Sequence, residues 1–562
     1  MINSDFFQSP PVLGNSFDQD DWLKMFLQWT LPQEVYSSLE PDLQNFGQRA
    51  VSDILLLGQQ AESRPPRHIP FDAWGRRVDE IEVSEAWREL HRISAREGLI
   101  AIGYERRQGE YSRLYQFAKL HMFHPSSAFY SCPLAMADGA ARVLELNQAQ
   151  DFVAEPLAHL TSRDPQKFWT SGQWMTEKTG GSDVSGTRTW AQRLEGGDFA
   201  LHGVKWFSSS TTSEMALGLA RIEGAVEGSR GLSLFYIPVR RADGNLNGIR
   251  VERLKDKLGT KALPTAELTL QAARARLLGA EGQGVKGIAT MLNITRLYNS
   301  ISSTGQMRRA LALVESYSQQ RQVFGRRLSE QPLHIETMAA EKVKYVRSLL
   351  LTLHLVHLLG KEEVGSASPE DKVILRALTP VTKLYTAKMA MAVVSEMLEC
   401  FGGAGYVEDT HIPVLLRDAQ VFSIWEGATN VLSLDLLRVL GKVESTQVLL
   451  QALGQRIELA QTKGAFPAQA QVLHREFEAL SQFILRAPQE GEAFVQTAAR
   501  SLAFSVADIY SSLLLLEMSE WGLKHKPHFP WTSYVERMLG PGLCQAICPG
   551  QEHRQHSQNI VG

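Results

Sequence analysis

The chain of 562 residues is too long for one simple core and predicts about three or four domains. Hydrophobic residues make up 44% and charged residues 21%, which excludes wholesale disorder. Lys plus Arg number 58 against 61 Asp plus Glu, a formal charge of −3, so no global positive field gathers nucleic acid or an anionic membrane.

Residues 1–34, rich in Asn, Ser, Pro and Asp, predict an irregular arm. Residues 35–164 predict an N-terminal helical domain. Val51, Ile54, Leu55 and Gly58 recur at three and four, as do Leu114, Phe117, Ala118 and His121. Gly103, Pro125 and Pro133 divide this stretch into several helices. Residues 165–285 change texture, with short apolar or alternating runs at 167–176, 189–194, 199–207, 214–221, 232–239, 249–253 and 267–270. Glu195-Gly196-Gly197-Asp198 reads as a hairpin turn between two of them. The runs lie too close together for crossover helices, so a small antiparallel β-barrel or sandwich is expected. Residues 286–440 return to helical spacing at 287–318, 331–360, 369–402 and 430–440, enough for a four-helix bundle. Residues 441–562 predict an extra C-terminal helical region ending in a Pro/Gly/His-rich tail. The fold class is α+β, multidomain.

Four cysteines in so long a chain fit a reducing compartment rather than a disulfide framework. No apolar run reaches the roughly 18–20 residues that cross a bilayer; the nearest, 348–360, is broken by His354 and His357. The first residues carry Asp5, Asp18, Asp20, Asp21 and Glu34 against Lys24, unlike a presequence, and Ile560-Val561-Gly562 is not a peroxisomal address. A cytoplasmic protein with no membrane association is expected.

Some motifs dissolve on inspection. Gly282-Gln283-Gly284-Val285-Lys286-Gly287 matches GxGxxG, but no buried strand leads into it. Nor does an acid stand between Ile288 and Val314 to meet a ribose, so a turn opening a helix is the better reading. GxSxG and HExxH are absent. Cys544, Cys548, His553 and His556 form a Cys/His cluster whose four-residue middle spacer is too short for a zinc finger, and no metal is expected.

Three segments carry more. In Gln173-Trp174-Met175-Thr176-Glu177-Lys178-Thr179-Gly180-Gly181-Ser182-Asp183-Val184 an apolar strand ends in a threonine, a glycine pair and a serine. Successive N–H groups in such a loop can converge on anionic oxygen. Gly203-Val204-Lys205-Trp206-Phe207-Ser208-Ser209 gathers aromatic faces and hydroxyls at a strand end. Ile424-Trp425-Glu426-Gly427-Ala428-Thr429-Asn430 sets a carboxylate in a loop before a helix that Thr429 or Asn430 can cap.

With RLKDKLG (253–259), EGQGVKG (281–287), RQVFG (321–325) and FGGAGY (401–406), these segments resemble the acyl-CoA dehydrogenase family in the family's own order, most closely its AidB-like branch. That family's fold is an N-terminal α domain, a middle β-barrel and a C-terminal four-helix bundle, and AidB-like members add a longer helical C-terminus. The resemblance implies FAD. It places Met175, Thr176, Glu177, Gly181 and Ser182 in the flavin loop, with Thr176 near flavin N5 and Ser182 at the pyrophosphate. Phe207, Ser208 and Ser209 become further cofactor contacts. Arg321 and Phe324 match residues that reach the FAD of a neighbouring subunit, and Gly402, Gly403, Thr429 and Asn430 match contacts from the bundle.

Arg296, with Ser182, is matched to acyl-CoA binding, and Glu426 to the base that removes the proton α to the thioester. Burial beside Trp425 would strengthen that base. Glu399 stands where the family usually has a glutamine facing FAD, and Ala428 replaces a usual hydroxyl. The implied partners are an acyl-CoA, an electron-transfer flavoprotein and the other subunits of a homotetramer. An acyl-CoA oxidase, an acyl-CoA sensor and an AidB-like DNA-binding flavoprotein that protects against alkylation are the alternatives. Ten Lys plus Arg against eleven Asp plus Glu from 441 to 562 do not favour DNA.

Overall fold

The computed structural model describes residues 9–540; the Cys544/Cys548/His553/His556 cluster lies outside the described residues. The chain divides into two compact units, residues 49–107 with 119–298, and the remainder.

The first unit is built on a barrel. Strands β1 (Arg67–Phe71) and β2 (Arg77–Glu82) form a hairpin, and β3 (Ser171–Trp174), β4 (Trp190–Arg193), β5 (Phe199–Ser209), β6 (Met215–Ile222), β7 (Leu232–Pro238), β8 (Ile249–Leu254) and β9 (Thr265–Leu277) form one sheet. The β1–β2 hairpin departs from the expected all-helical segment. Pro65, Pro66 and Pro70 forbid helix there, and alternation takes over. The sheet order β3-β6-β4-β5-β9-β7 closes because β7 also pairs β6, while β8 pairs β9. Each of the seven expected barrel runs is a strand, and Gly196 (φ +79) and Gly197 (φ +87) supply the β4–β5 turn. The expected antiparallel pairing needs correction at two places, since β3 and β4 each run parallel to β6. The long connections from β3 and β4 to β6 give the chain room to return in the same direction. Trp174, Phe199, Leu201, Phe235, Ile237 and Leu268 fill the interior.

The second unit is helical. The expected irregular arm holds a helix, Asp21–Thr30, whose Trp22, Leu23, Phe26 and Leu27 are buried and whose N-cap Asp20 accepts from Leu23 N. The bundle helices are the C-terminal part of Gly284–Gln320 together with Pro332–Val364, Pro369–Cys400 and Thr429–Leu440, joined by the shorter Ile412–Phe422. Their ends are written in the sequence. Pro332 and Pro369 sit in the first turn, Ser368 and Asp371 form a capping box, and Gly365 (φ +82) ends its helix.

Beyond the bundle come Val443–Lys463, Pro467–Arg486, Glu492–His525 and Trp531–Met538. Contrary to the sequence expectation, Glu492–His525 is long and apolar enough to cross a membrane, the one such helix among the described residues; 83% of its most apolar window is buried in the fold. It packs on Thr429–Leu440 and Pro332–Val364. Asp508 ties it there, accepting from Arg347 Nη1 at 2.8 Å and Tyr385 Oη at 2.9 Å.

Candidate functional site

The barrel unit presents the loop that follows β3. Trp174 anchors the strand in the core, and the chain then leaves the rim. Trp206 N donates to Thr176 O at 3.0 Å, and Glu177 and Gly180 exchange main-chain hydrogen bonds at 3.1 Å, which folds the loop back on itself. A Cβ on Gly181 would stand 2.8 Å from Thr176 Oγ1, so only glycine lets the second limb lie against the threonine. Met175 and Thr176 are half-buried, while Gly181 and Ser182 are exposed.

The Glu177 carboxylate is engaged inside the barrel. Oε1 accepts from Lys205 Nζ at 2.8 Å and Thr189 Oγ1 at 2.5 Å, and Oε2 from Arg188 N at 2.7 Å. Burial alone would raise this carboxyl, but the Lys205 ammonium and these hydrogen bonds outweigh it and hold it below the usual range. Lys205 is buried too and also donates to Leu219 O at 2.9 Å. The pair locks the start of the loop to β5 and β6.

β5 carries a bulge. Lys205 opposes Leu268 and Ser208 opposes Ala266, so three steps on one strand answer two on the other. The extra residue leaves both Lys205 and Ser208 buried and turns Phe207 out to 55% exposure. Ser208, expected among the cofactor contacts, therefore has its hydroxyl buried with no partner, whereas Ser209 is half-buried and lies 3.1 Å from Thr265 Oγ1. Lys255 Nζ stands 3.5 Å from the Trp206 ring centroid and 4.6 Å from that of Phe207, with Lys178 Nζ 4.7 Å from Trp206. Lys255 is also paired with Glu267 Oε1 at 2.6 Å, and an exposed aromatic ring beside a glycine loop, with Lys178 close by, fits a flat ring system that carries an anionic tail.

Arg296 is half-buried on the Gly284–Gln320 helix. The glycines of EGQGVKG belong to packing. Gly282 N donates to Ser233 Oγ at 2.9 Å, and a Cβ on Gly284 would strike the Leu232–Ser233 backbone of β7 at 2.6 Å. No Rossmann turn is present there.

The helical unit holds the other residues. Glu426 lies between Ile412–Phe422 and Thr429–Leu440, half-buried beside Trp425, with φ +56. Left-handed backbone is uncommon for a residue with a side chain and marks a position held by its surroundings. Gly427 follows at φ +109, where a Cβ would meet Leu432 at 2.7 Å. The expected cap is corrected: Ala428 is the N-cap and offers no side-chain bond, Thr429 is buried in the first turn, and Asn430 is exposed. The opening N–H groups of this helix therefore carry no cap from Ala428.

Glu399 is exposed at the end of Pro369–Cys400. Gly402 (φ +59) and Gly403 have open space where a side chain would be, so neither is a packing glycine. Strands β10 (Gln322–Val323) and β11 (Arg326–Arg327) form a small hairpin whose turn residues Phe324 (φ +50) and Gly325 (φ +76) present Phe324 at 99% exposure. Arg321 precedes it and is also exposed.

Sequence reading passed over Lys383. Its fully buried ammonium donates to Trp425 O at 2.6 Å and Gly427 O at 2.7 Å, on either side of Glu426. The available signal was a lysine at core spacing in the apolar helix run 374–394. Among the described residues no cluster of His, Cys, Asp and Glu suits a metal.

Comparison with known proteins covers nearly the whole chain. Residues 8–165 match the adaptive response protein AidB N-terminal domain, 172–273 the acyl-CoA dehydrogenase middle domain, 282–441 the acyl-CoA dehydrogenase C-terminal domain, and 445–529 the acyl-CoA dehydrogenase 11 C-terminal domain-like family. Acyl-CoA dehydrogenase family member 11 of Caenorhabditis elegans is 46% identical over 531 residues, 91% of this chain and 85% of the relative. Putative acyl-CoA dehydrogenase AidB of Escherichia coli K12 is 34% identical over 419 residues, 73% and 75% of the two chains. The crystal structure of Caenorhabditis elegans ACDH-11 in complex with C11-CoA superposes with a TM-score of 0.94 at 42% identity, covering 100% of this chain and 97% of that one.

Proposed function

The chain belongs to the acyl-CoA dehydrogenase family, with the AidB-type N-terminal domain, and we propose that it dehydrogenates the Cα–Cβ bond of an acyl-CoA thioester with FAD as cofactor. The observation that carries this reading is the presentation of Glu426: a half-buried carboxylate beside a tryptophan, on a left-handed backbone position ahead of a helix start.

FAD, when bound, supplies the hydride acceptor for the β carbon. The chain supplies the rest. Thr176, Gly181 and Ser182 hold the cofactor through the loop, and Phe207 and Ser209 meet its ring from β5. The half-buried Glu426 takes the α proton onto its carboxylate. Arg296 supplies a positive charge for the phosphate-bearing part of coenzyme A.

A worm relative crystallised with C11-CoA makes an acyl-CoA of that chain length the first substrate to try. The exposed Phe324 hairpin supports contact with a second subunit of a homotetramer, and an electron-transfer flavoprotein is the expected electron acceptor. Four cysteines and a near-neutral charge are compatible with a cytoplasmic site of action.

The test is anaerobic titration of the FAD-loaded protein with acyl-CoA thioesters of graded length. One class should bleach the visible flavin band, and Glu426→Gln should abolish the bleaching while FAD stays bound. Bleaching that survives in Glu426→Gln would remove Glu426 from its role. Peroxide formed in air at the rate of turnover would favour an oxidase.

A further inference from the structure

Lys383 sits in the middle of the Pro369–Cys400 helix with its side chain fully buried. Two of its three ammonium donors go to main-chain oxygens, Trp425 O at 2.6 Å and Gly427 O at 2.7 Å. Those carbonyls belong to the residues immediately before and after Glu426. Both carbonyls reach the one ammonium while the residue between them leaves the ordinary helical and extended regions. Glu426 does so, at φ +56.

The neighbouring chain supplies other fastenings as well. Trp425 N donates to Val421 O at 3.2 Å and Leu432 N to Ala428 O at 3.1 Å, which continue the flanking helices. A charged donor to each neighbouring carbonyl is a strong restraint in a dry site, because N⁺–H···O bonds exceed neutral ones and no water competes. A buried lysine is also costly to retain unless its charge is used.

We infer that Lys383 is a positioning residue for the reaction: its ammonium, clamped on the carbonyls of Trp425 and Gly427, forces Glu426 into the left-handed backbone conformation from which its carboxylate acts. The kinetic part of this inference rests on the dehydrogenase reading; the conformational part stands without it.

The experiment uses the full-length, FAD-loaded protein with Lys383→Met, which keeps the stem and removes the donors, and Lys383→Gln, which keeps one short donor group. With an acyl-CoA that bleaches the parent protein, the bleaching rate should fall about 100-fold in Lys383→Met, while FAD content and acyl-CoA affinity stay within about twofold.

A double-mutant cycle reads conformation alone. Glycine has no penalty at φ +56, so Lys383→Met should shift the urea midpoint less in a Glu426→Gly background than in the parent. If Lys383→Met does not fold, the same cycle is run with Lys383→Gln. Additive urea shifts, or an unchanged bleaching rate in Lys383→Met, would overturn the inference. A parent protein that no acyl-CoA bleaches would sink the dehydrogenase reading, and the urea cycle would still decide for or against the clamp.

Discussion

Arg113 and Glu363 meet in a bidentate pair, Nε to Oε2 and Nη2 to Oε1 both at 2.7 Å, with each side chain 1% exposed. Arg113 also donates from Nη1 to Gln116 Oε1 at 2.7 Å, so its fork is satisfied inside the helical unit. Two charges taken this far out of water are tolerated only as a pair. Arg113→Met should therefore cost about 3–5 kcal/mol, by leaving Glu363 buried without its cation. Arg113→Met with Glu363→Leu should recover most of that loss, and urea unfolding of the three proteins measures both steps.

The Glu177–Lys205 pair does similar work in the barrel, but its loss should reach the cofactor. Lys205→Met strands a carboxylate whose remaining partners are Thr189 and the Arg188 amide, and it frees the loop from Thr176 onward. The expected outcome is about 3 kcal/mol less stability together with reduced FAD content after purification. Pairing it with Glu177→Gln should restore stability more than FAD content, because the neutral amide no longer needs a cation but holds the loop less firmly. Flavin absorbance per protein and urea midpoints separate the two.

What the sequence disclosed follows from what is local. The seven barrel strands were legible because alternation and Gly-Gly turns are properties of neighbours in the chain, and the bundle ends were legible because Ser368, Pro369 and Gly365 act within one turn. The parallel pairing of β3 and β4 with β6 was not, since it depends on where the chain returns. The Asp21–Thr30 helix escaped notice because Trp22, Leu23, Phe26 and Leu27 are surrounded by turn-forming residues, and their burial is supplied by the rest of the unit. Lys205 and Lys383 were missed for one shared reason. A buried lysine and a solvated one are the same letter, and only the positions of Glu177, Trp425 and Gly427 tell them apart.

His91 sets an acid limit on the barrel unit. Its Nδ1 lies 2.7 Å from the buried Tyr130 hydroxyl, and burial pulls the imidazole down from 6.5 to about 4, against a hydrogen bond to the Phe168 main chain. A histidine that is harder to protonate when folded favours the folded state wherever it is neutral. That contribution is complete above pH 6.5 and drains away as pH falls to about 4. It amounts to about 3 kcal/mol across the window. His91→Gln should lower stability at pH 7 but lose less of it between pH 6.5 and pH 4 than the parent. Carboxylates titrate in the same range in both proteins, so the difference between their urea curves isolates His91. Parallel curves would show that the imidazole is not kept neutral by the fold.

Gly181 offers the sharpest test of the cofactor loop, because the residue is exposed and its substitution should spare the fold. A Cβ there would lie 2.8 Å from Thr176 Oγ1 and 3.0 Å from Cγ2, closer than carbon and oxygen tolerate. Neither limb can absorb the displacement freely. Thr176 O is fixed to Trp206 N, and the turn is closed by the Glu177–Gly180 bonds, so relief must come by swinging the threonine side chain or opening the loop. Both motions disturb the hydroxyl and amides assigned to FAD. Gly181→Ala should leave the urea midpoint within experimental error and weaken FAD binding about tenfold, equivalent to about 1.4 kcal/mol. Titration of apoprotein with FAD, followed by flavin fluorescence, measures the change. Thr176→Ser in the same background removes the methyl half of the clash. It should regain part of the affinity, whereas a loop that binds FAD elsewhere along its length would respond to neither substitution.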